Sequence, residues 1–193
     1  NQLRQLEPAI AYKLIQSAIG DKNVRVRYAA VSQMSTLGTQ NLSNALEVLL
    51  DSLRNDPEPD VKAAAADALG GLKLTEALED LQQLYNNTSE WLIQLSIVAA
   101  LGEMGDPKAF PILEKALNSE HELIQTMAIG ALGELGDKRA IPLLLPYVSN
   151  ADWQVRYRVA QALVRLGGEQ AEVALKILAK DEVEQVALEA KRA

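Results

Sequence analysis

Apolar positions recur along this chain on two scales. Within the stretch Thr88–Asp106, TSEWLIQLSIVAALGEMGD, they are spaced three and four residues apart, one side of an α-helix. The whole stretch then returns thirty-one residues later as SEHELIQTMAIGALGELGD (Ser119–Asp137), and again as NADWQVRYRVAQALVRLGG (Asn150–Gly168). Take the apolar residue near the start of each motif as position 0. These residues are Val26, Val61, Ile93, Ile124, Val155 and Val186, with steps of 35, 32, 31, 31 and 31 residues. A fixed period of this size predicts a solenoid, in which each unit buries its apolar face only against its neighbours.

Polar and special residues punctuate the pattern. Five positions before each zero stand Asp21, Asp56, Thr88, Ser119, Asn150 and Asp181. All six types accept hydrogen bonds from the free N–H groups of a first helical turn, so they are predicted N-caps. Pro57 is then placed at the first position of its helix. Gly38, Gly105, Gly136 and Gly167 are predicted to end the helices in the left-handed region. A second helix belongs to each unit: Pro8–Ile19, Ala45–Leu53, Thr75–Tyr85, Gly105–Leu117, Gly136–Val148 and Ala171–Lys180. Pro111 and Pro142 lie early enough to be tolerated, whereas Pro146 is predicted to kink or shorten its helix.

The predicted fold is therefore all-α. It is an α-solenoid, a right-handed superhelix of about six helical hairpins with the first incomplete. It reads as one domain over residues 1–193, with repeats at roughly 1–7 (partial), 8–38, 39–73, 74–105, 106–136, 137–167 and 168–193. Leu3 and Leu6 align with Met34 and Leu37, so residues 1–7 read as the end of a helix begun earlier.

The same periodicity assigns faces. Positions 0, +3, +7, +8 and +11 are expected to meet the partner helix. Positions −2, +2, +5, +6 and +9 are expected to line an inner, concave surface. The second set is poor in charge and holds both tryptophans: Trp91 and Trp153 at −2, Tyr28, Leu95 and Tyr157 at +2, and Asp67 at +6. Close packing of neighbouring inner helices accounts for the small and aliphatic members. It accounts less well for the aromatic ones, because Trp and Tyr are the residues that most often anchor an interface. Beside this face, at +1, lie Arg27, Lys62, Gln94, Gln125 and Arg156. They form either a ladder of hydrogen bonds between repeats or a set of groups awaiting a ligand's carboxylates. Asp67 is the one acid on the face, either bonded to a neighbouring base or offered to a ligand's N–H groups.

Composition narrows the chemistry. The chain is 48% hydrophobic, 23% charged and 4% aromatic, with no cysteine, which removes disulfides, thiol chemistry and thiolate metal sites. No metal site is expected: His121 is the only histidine and reads as a surface residue in a first helical turn. The net charge of −7 is the wrong sign for a phosphate-neutralising surface, so nucleic acid is not an expected partner. No apolar run is long enough for a membrane span, no secretory leader is visible, and a cytoplasmic location is the default. No nucleophile motif or phosphate loop is present.

The run of cap residue, Val-Arg, alanines and Leu-Gly-x-Leu-Gly-Asp resembles the short HEAT-like repeat of the phycobilin lyase family. The stretches Asn1–Ala11, Val24–Gly38, Val61–Leu78 and Tyr85–Glu103 are most similar to its phycobilisome-degradation branch. The resemblance implies phycobiliproteins as partners and an open-chain bilin of the phycocyanobilin kind as ligand, with no resident cofactor. It implies detachment of bilin, with Asp67 as the assisting acid. Arg27, Tyr28, Lys62, Trp91, Gln94, Leu95, Trp153, Arg156 and Tyr157 would hold the bilin or the helix that bears it. A non-catalytic protein-binding scaffold is the alternative. A bilin-attaching lyase subunit, which predicts a dimer with a second repeat protein, is a further one.

Overall fold

The computed structural model describes residues 6–193, and the part of the 1–7 segment before Leu6 lies outside the described residues. Among these, twelve α-helices follow one another without a strand. They are α1 (Pro8–Ala18), α2 (Val24–Leu37), α3 (Leu42–Asn55), α4 (Pro59–Gly71), α5 (Leu78–Asn87) and α6 (Trp91–Met104), then α7 (Phe110–Leu117), α8 (Glu122–Leu135), α9 (Ala140–Leu144), α10 (Trp153–Leu166), α11 (Glu169–Leu178) and α12 (Glu184–Ala190). They pair as six hairpins, and the fold is an α-solenoid. The chain divides into two compact units, Asn1–Met104 and Gly105–Ala193, each with three hairpins. In the first unit α2, α4 and α6 stack in sequence; in the second, α8, α10 and α12 do.

The six residues at −5 do a different job from the one the sequence suggests. Each inner helix begins at −2, so its N-cap is at −3: Asn23 before α2, Glu58 before α4, Asp152 before α10. The −5 side chains instead accept the N–H of the −3 residue. Asp21 bonds Asn23, Asp56 bonds Glu58, Thr88 bonds Glu90, Ser119 bonds His121, Asn150 bonds Asp152 and Asp181 bonds Val183, all at 2.7–3.1 Å. These are side-chain turns that aim the chain into the helix two residues ahead of its cap. Pro57 sits within such a turn, and Pro59 takes the first helical position.

Gly105, Gly136 and Gly167 adopt positive φ as expected, but Gly38 does not: its φ is −59°. Gly38 is buried, and a Cβ there would come within 2.7 Å of Leu72 Cδ1, the movable end of a side chain, and 3.1 Å of Ala45 Cβ. Pro146 shortens its helix as expected: α9 stops at Leu144, and Leu145–Ser149 continue as a 3₁₀ turn.

The buried seam also runs differently. Its centre is at 0, +4 and +8: Ala65 and Leu69 in α4, Ile97 and Leu101 in α6, Val159 and Leu163 in α10 are all buried. Columns +5 and +9, expected on the inner surface, are interior as well. Val31, Ala66, Val98, Ile129 and Ala160 at +5 are fully buried. At +9, a Cβ on Gly70 would stand 2.6 Å from Ala100 Cα, and one on Gly133 2.7 Å from Ala162 Cα. Both Ala100 and Ala162 are at +7 of the following helix. An inner helix in a stack is covered on three sides, by its hairpin partner and by the helices before and after. Its open stripe is therefore narrow and consists mainly of −2, +2 and +6.

Candidate functional site

In the first unit, the open stripe is Val24, Tyr28 and Ser32 on α2, Pro59, Ala63 and Asp67 on α4, and Trp91, Leu95 and Ala99 on α6. These are equivalent positions on consecutive helices, so they form rows across the stack at about 8–10 Å per step. In the middle row Ala63 is buried, whereas Tyr28 is 48% exposed and Leu95 partly exposed. Trp91, the first residue of α6, remains 44% exposed, and Val24 and Tyr28 are exposed too. One turn further along, the surface becomes polar. Asp67 accepts a hydrogen bond from the buried Ser96 of α6, and Glu103 lies near enough to repel it. Burial of the carboxyl is the largest influence and raises its pKa; Ser96 opposes the shift and Glu103 adds to it. A backbone site at Gly71, beside Ser35 and the Glu103 carboxylate, brings α2, α4 and α6 together at this end.

The electrostatics of Asp67 have a consequence for stability. A carboxyl whose folded pKa is raised holds its proton more tightly in the folded state. Its cost is absent below the unfolded pKa and develops as pH rises toward the folded value. Asp67→Asn keeps an acceptor for Ser96 and removes the charge. The expected result is a small rise in thermal midpoint at pH 7, within about 0.5 kcal/mol because the residue is partly exposed. The difference should vanish near pH 3 in paired melts.

The +1 residues all make hydrogen bonds within the chain. Arg27 donates to Asp56 at 2.9 and 3.3 Å and to the carbonyls of Asp21 and Lys22. Arg156 repeats this arrangement with Asp181, at 2.6 and 2.9 Å, and with the carbonyls of Asn150 and Ala151. Both guanidinium groups are largely buried. Lys62 reaches the carbonyl of Arg54, and Gln94 those of Tyr85 and Thr88. Gln125 bonds the Leu117 carbonyl and the Tyr147 hydroxyl. Of the residues expected to meet a ligand, Arg27, Lys62, Gln94 and Arg156 are thus hydrogen-bonded within the chain. The column is a ladder that ties each helix to the loop before it and, where arginine is present, to the turn of the next repeat.

In the second unit the equivalent rows hold Glu122, Thr126 and Gly130 on α8, and Trp153, Tyr157 and Gln161 on α10. Trp153 is 39% exposed and Tyr157 half-buried. Exposed cations join them here: Arg158 donates to Gln161, and Arg165 pairs with Glu134 at 3.2 Å. Sequence reasoning did not single out Arg158 or Arg165, which stand at +3 and +10, beside the open stripe and not on it. Of the expected site residues, the first unit thus gathers Tyr28, Asp67, Trp91 and Leu95 on one face, and the second Trp153 and Tyr157 on another. Among the described residues no His, Asp and Glu side chains gather in a set able to hold a metal ion, and no helix is long and apolar enough to cross a membrane.

Comparison with known proteins places this architecture. A family model for HEAT repeats matches residues 46–129 and 113–193. Among solved structures, the chain is similar to the complex of CpcE and CpcF of phycocyanin lyase from Nostoc sp. PCC7120. There the TM-score is 0.70 with 19% identity, covering 97% of this chain and 86% of that one. It is also similar to an engineered protein, with TM-score 0.68 and 20% identity over 94% and 95% of the two chains. The Escherichia coli protein YibA gives TM-score 0.68 with 14% identity over 98% and 70%. Curated protein sequences yield no match. At these identities the structural likenesses concern the fold. The repeat period, the six helical hairpins and the matched family model together make this chain a member of the HEAT-repeat family.

Proposed function

We propose that this chain handles phycobiliprotein chromophores, holding a bilin, or the helix that bears one, on the open face of its first unit and assisting bilin detachment. The observation that carries the reading is the half-exposed Trp91–Leu95 stripe beside the Asp67–Ser96 pair. An open-chain tetrapyrrole has a flat conjugated system that suits an aromatic wall and ring N–H groups that suit a carboxylate. Its propionates need cations. Because Arg27 and Arg156 are engaged, that role passes to residues such as the exposed Arg25 at the edge of the same face. The likeness to the phycocyanin lyase fold supports the reading. The thioether cysteine of such a linkage belongs to the substrate, so the absence of cysteine here is compatible with it.

In detachment the thioether C–S bond breaks, the substrate's cysteine sulfur leaves with a proton and the bilin loses one from the adjacent ring carbon to regain a double bond; Asp67 can shuttle that proton, which is the limit of the chemistry this face offers. That modesty favours a second reading, a non-catalytic scaffold that docks a protein segment on the same surface. A fold shared with engineered proteins does not bring an activity with it.

Titration with free phycocyanobilin separates them. Bilin binding should red-shift the visible band and quench tryptophan fluorescence. Trp91→Ala should weaken binding by about tenfold, the effect of removing an aromatic anchor. Asp67→Asn should reduce the red shift more than the affinity, because it removes the charge facing the pyrrole nitrogens while the apolar wall remains. No spectral change at about 100 µM bilin would eliminate the chromophore and leave the scaffold.

A further inference from the structure

Helix α11 carries an apolar pair on the side turned away from the core. Its buried residues, Ala171, Ala174, Leu175 and Leu178, face its own unit. Val173 and Ile177, one turn apart on the other side, are 57% and 62% exposed. They stand 13 and 9 residues before Val186. At the same distances before Val155 are Pro142 and Pro146, both exposed although α9 has a hairpin on either side of it within the unit. This side of an outer helix is thus open within the stack itself. In the second unit the other such positions hold Pro111, Lys115, Pro142 and Pro146, and only α11 puts two aliphatic side chains there. Leu145, 37% exposed, and Pro146 lie on the 3₁₀ turn that packs against α11, and they widen the apolar patch.

We propose that this face pairs with the same face of a second copy, α11 against α11 in antiparallel order about a two-fold axis. Charge complementarity selects that occupant. The acids of the helix, Glu169 and Glu172, come before the apolar pair, and the bases, Lys176 and Lys180, come level with its end or after it. All four are exposed, and among the described residues none has an ion-pair partner. A two-fold axis midway between Val173 and Ile177 sets Val173 of one copy against Ile177 of the other. It also brings each Lys180 level with position 170 of the other copy, between Glu169 and Glu172. Each Lys176 comes level with position 174, about 3 Å along the axis from the other copy's Glu172. A parallel pair would set acid on acid and base on base. A partner of one sign, such as nucleic acid or an anionic lipid surface, would meet the acidic turn as well as the basic one. The helix has ten residues and is about 15 Å long, so the contact is small and the dimer is of the weak, reversible class. The proposal is independent of the chromophore reading, because none of these residues lies on an inner helix.

Sedimentation velocity of the full chain from about 1 to 500 µM tests the pairing. The expected result is a monomer–dimer equilibrium that Val173→Glu weakens about tenfold or more, because each dimer then holds two carboxylates at its apolar centre. Val173 is open in the free chain, so the melting curve of this variant at low concentration should match that of wild type. The order of charges gives a second readout. Glu169→Lys and Lys180→Glu should each weaken the dimer about threefold or more, since the axis repeats the lost pair twice. The two changes combined should restore most of the affinity, because each lysine again meets a glutamate across the axis. A monomer at every concentration, a dimer indifferent to Val173→Glu, or a double variant no tighter than the single ones would each overturn the proposal.

Discussion

Gly133→Ala should destabilise the protein by about 1–3 kcal/mol, while Gly130→Ala, three residues earlier in α8, should stabilise it by about 0.5–1 kcal/mol. The two changes are the same chemistry in the same helix. Each adds a methyl group and removes the backbone freedom that makes glycine a poor helix former. At Gly130 an added Cβ meets nothing within 4 Å, so only the helical gain remains. At Gly133 the methyl group would stand 2.7 Å from Ala162 Cα and 2.8 Å from its Cβ. A backbone atom cannot rotate away, so α8 and α10 must separate, and the fully buried Ile129, one turn before Gly133, loses packing. Gly70→Ala repeats the experiment in the first unit, where Ala100 Cα would lie at 2.6 Å. Urea unfolding of the three variants checks this. Gly133→Ala and Gly130→Ala changing stability with the same sign would mean that the alanine–glycine contact is not what sets the spacing of the helices.

These glycines also show how far the sequence could be read. The repeat, the hairpins and the shortened helix at Pro146 were legible because period and chain punctuation are local signals. The small residues at +9 were assigned to the inner face, and the close packing of neighbouring inner helices expected of them is what Gly70 and Gly133 show. A helical wheel divides a helix into a buried and an open half, whereas an inner helix of a stack is buried on three sides. That difference moved +5 and +9 from the expected surface into the interior and left Asp67, Trp91 and Leu95 on a narrower stripe. The −5 residues were recognised as a set of six, but a cap and a turn two residues before a cap need the same side chains, and only the backbone separates them.

One signal in the sequence did contain the arginine ladder. Arginine at +1 occurs in two units, at Arg27 and Arg156, and in both the next repeat has aspartate at −5, Asp56 and Asp181. Where +1 is Lys62, Gln94 or Gln125, the next −5 is Thr88, Ser119 or Asn150, none of them acidic. The pairing is therefore written between columns of adjacent repeats, and reading each column alone hides it. That is why the column alone left the ladder and the ligand reading both open.

The second large effect is expected at that ladder: Arg156→Ala should cost about 2–3 kcal/mol, roughly a 5–10 °C fall in thermal midpoint for a chain of this size. The pair is bidentate, its two side chains are only 11% and 7% exposed, and Asp181 also accepts the Val183 N–H at 2.9 Å. Deleting the guanidinium strands a largely buried carboxylate and frees the Asn150 and Ala151 carbonyls, so the loss exceeds that of an exposed ion pair. The pH dependence fixes the cause. Hydrogen bonding from Arg156 is the largest influence on Asp181 and holds its carboxyl below the usual carboxylate range, with the Val183 N–H acting the same way. A depressed pKa means that the stabilisation is complete above the unfolded value, about 4, and is lost as pH falls through the folded one. The gap between wild type and Arg156→Ala should thus be constant from about pH 5 to pH 8 and close in acid below about pH 4. A gap that persists undiminished at low pH would assign the loss to the arginine's packing and carbonyl contacts instead of to its charge. Arg156→Lys then discriminates further, because an ammonium restores the charge but cannot span Asp181 and both carbonyls at once.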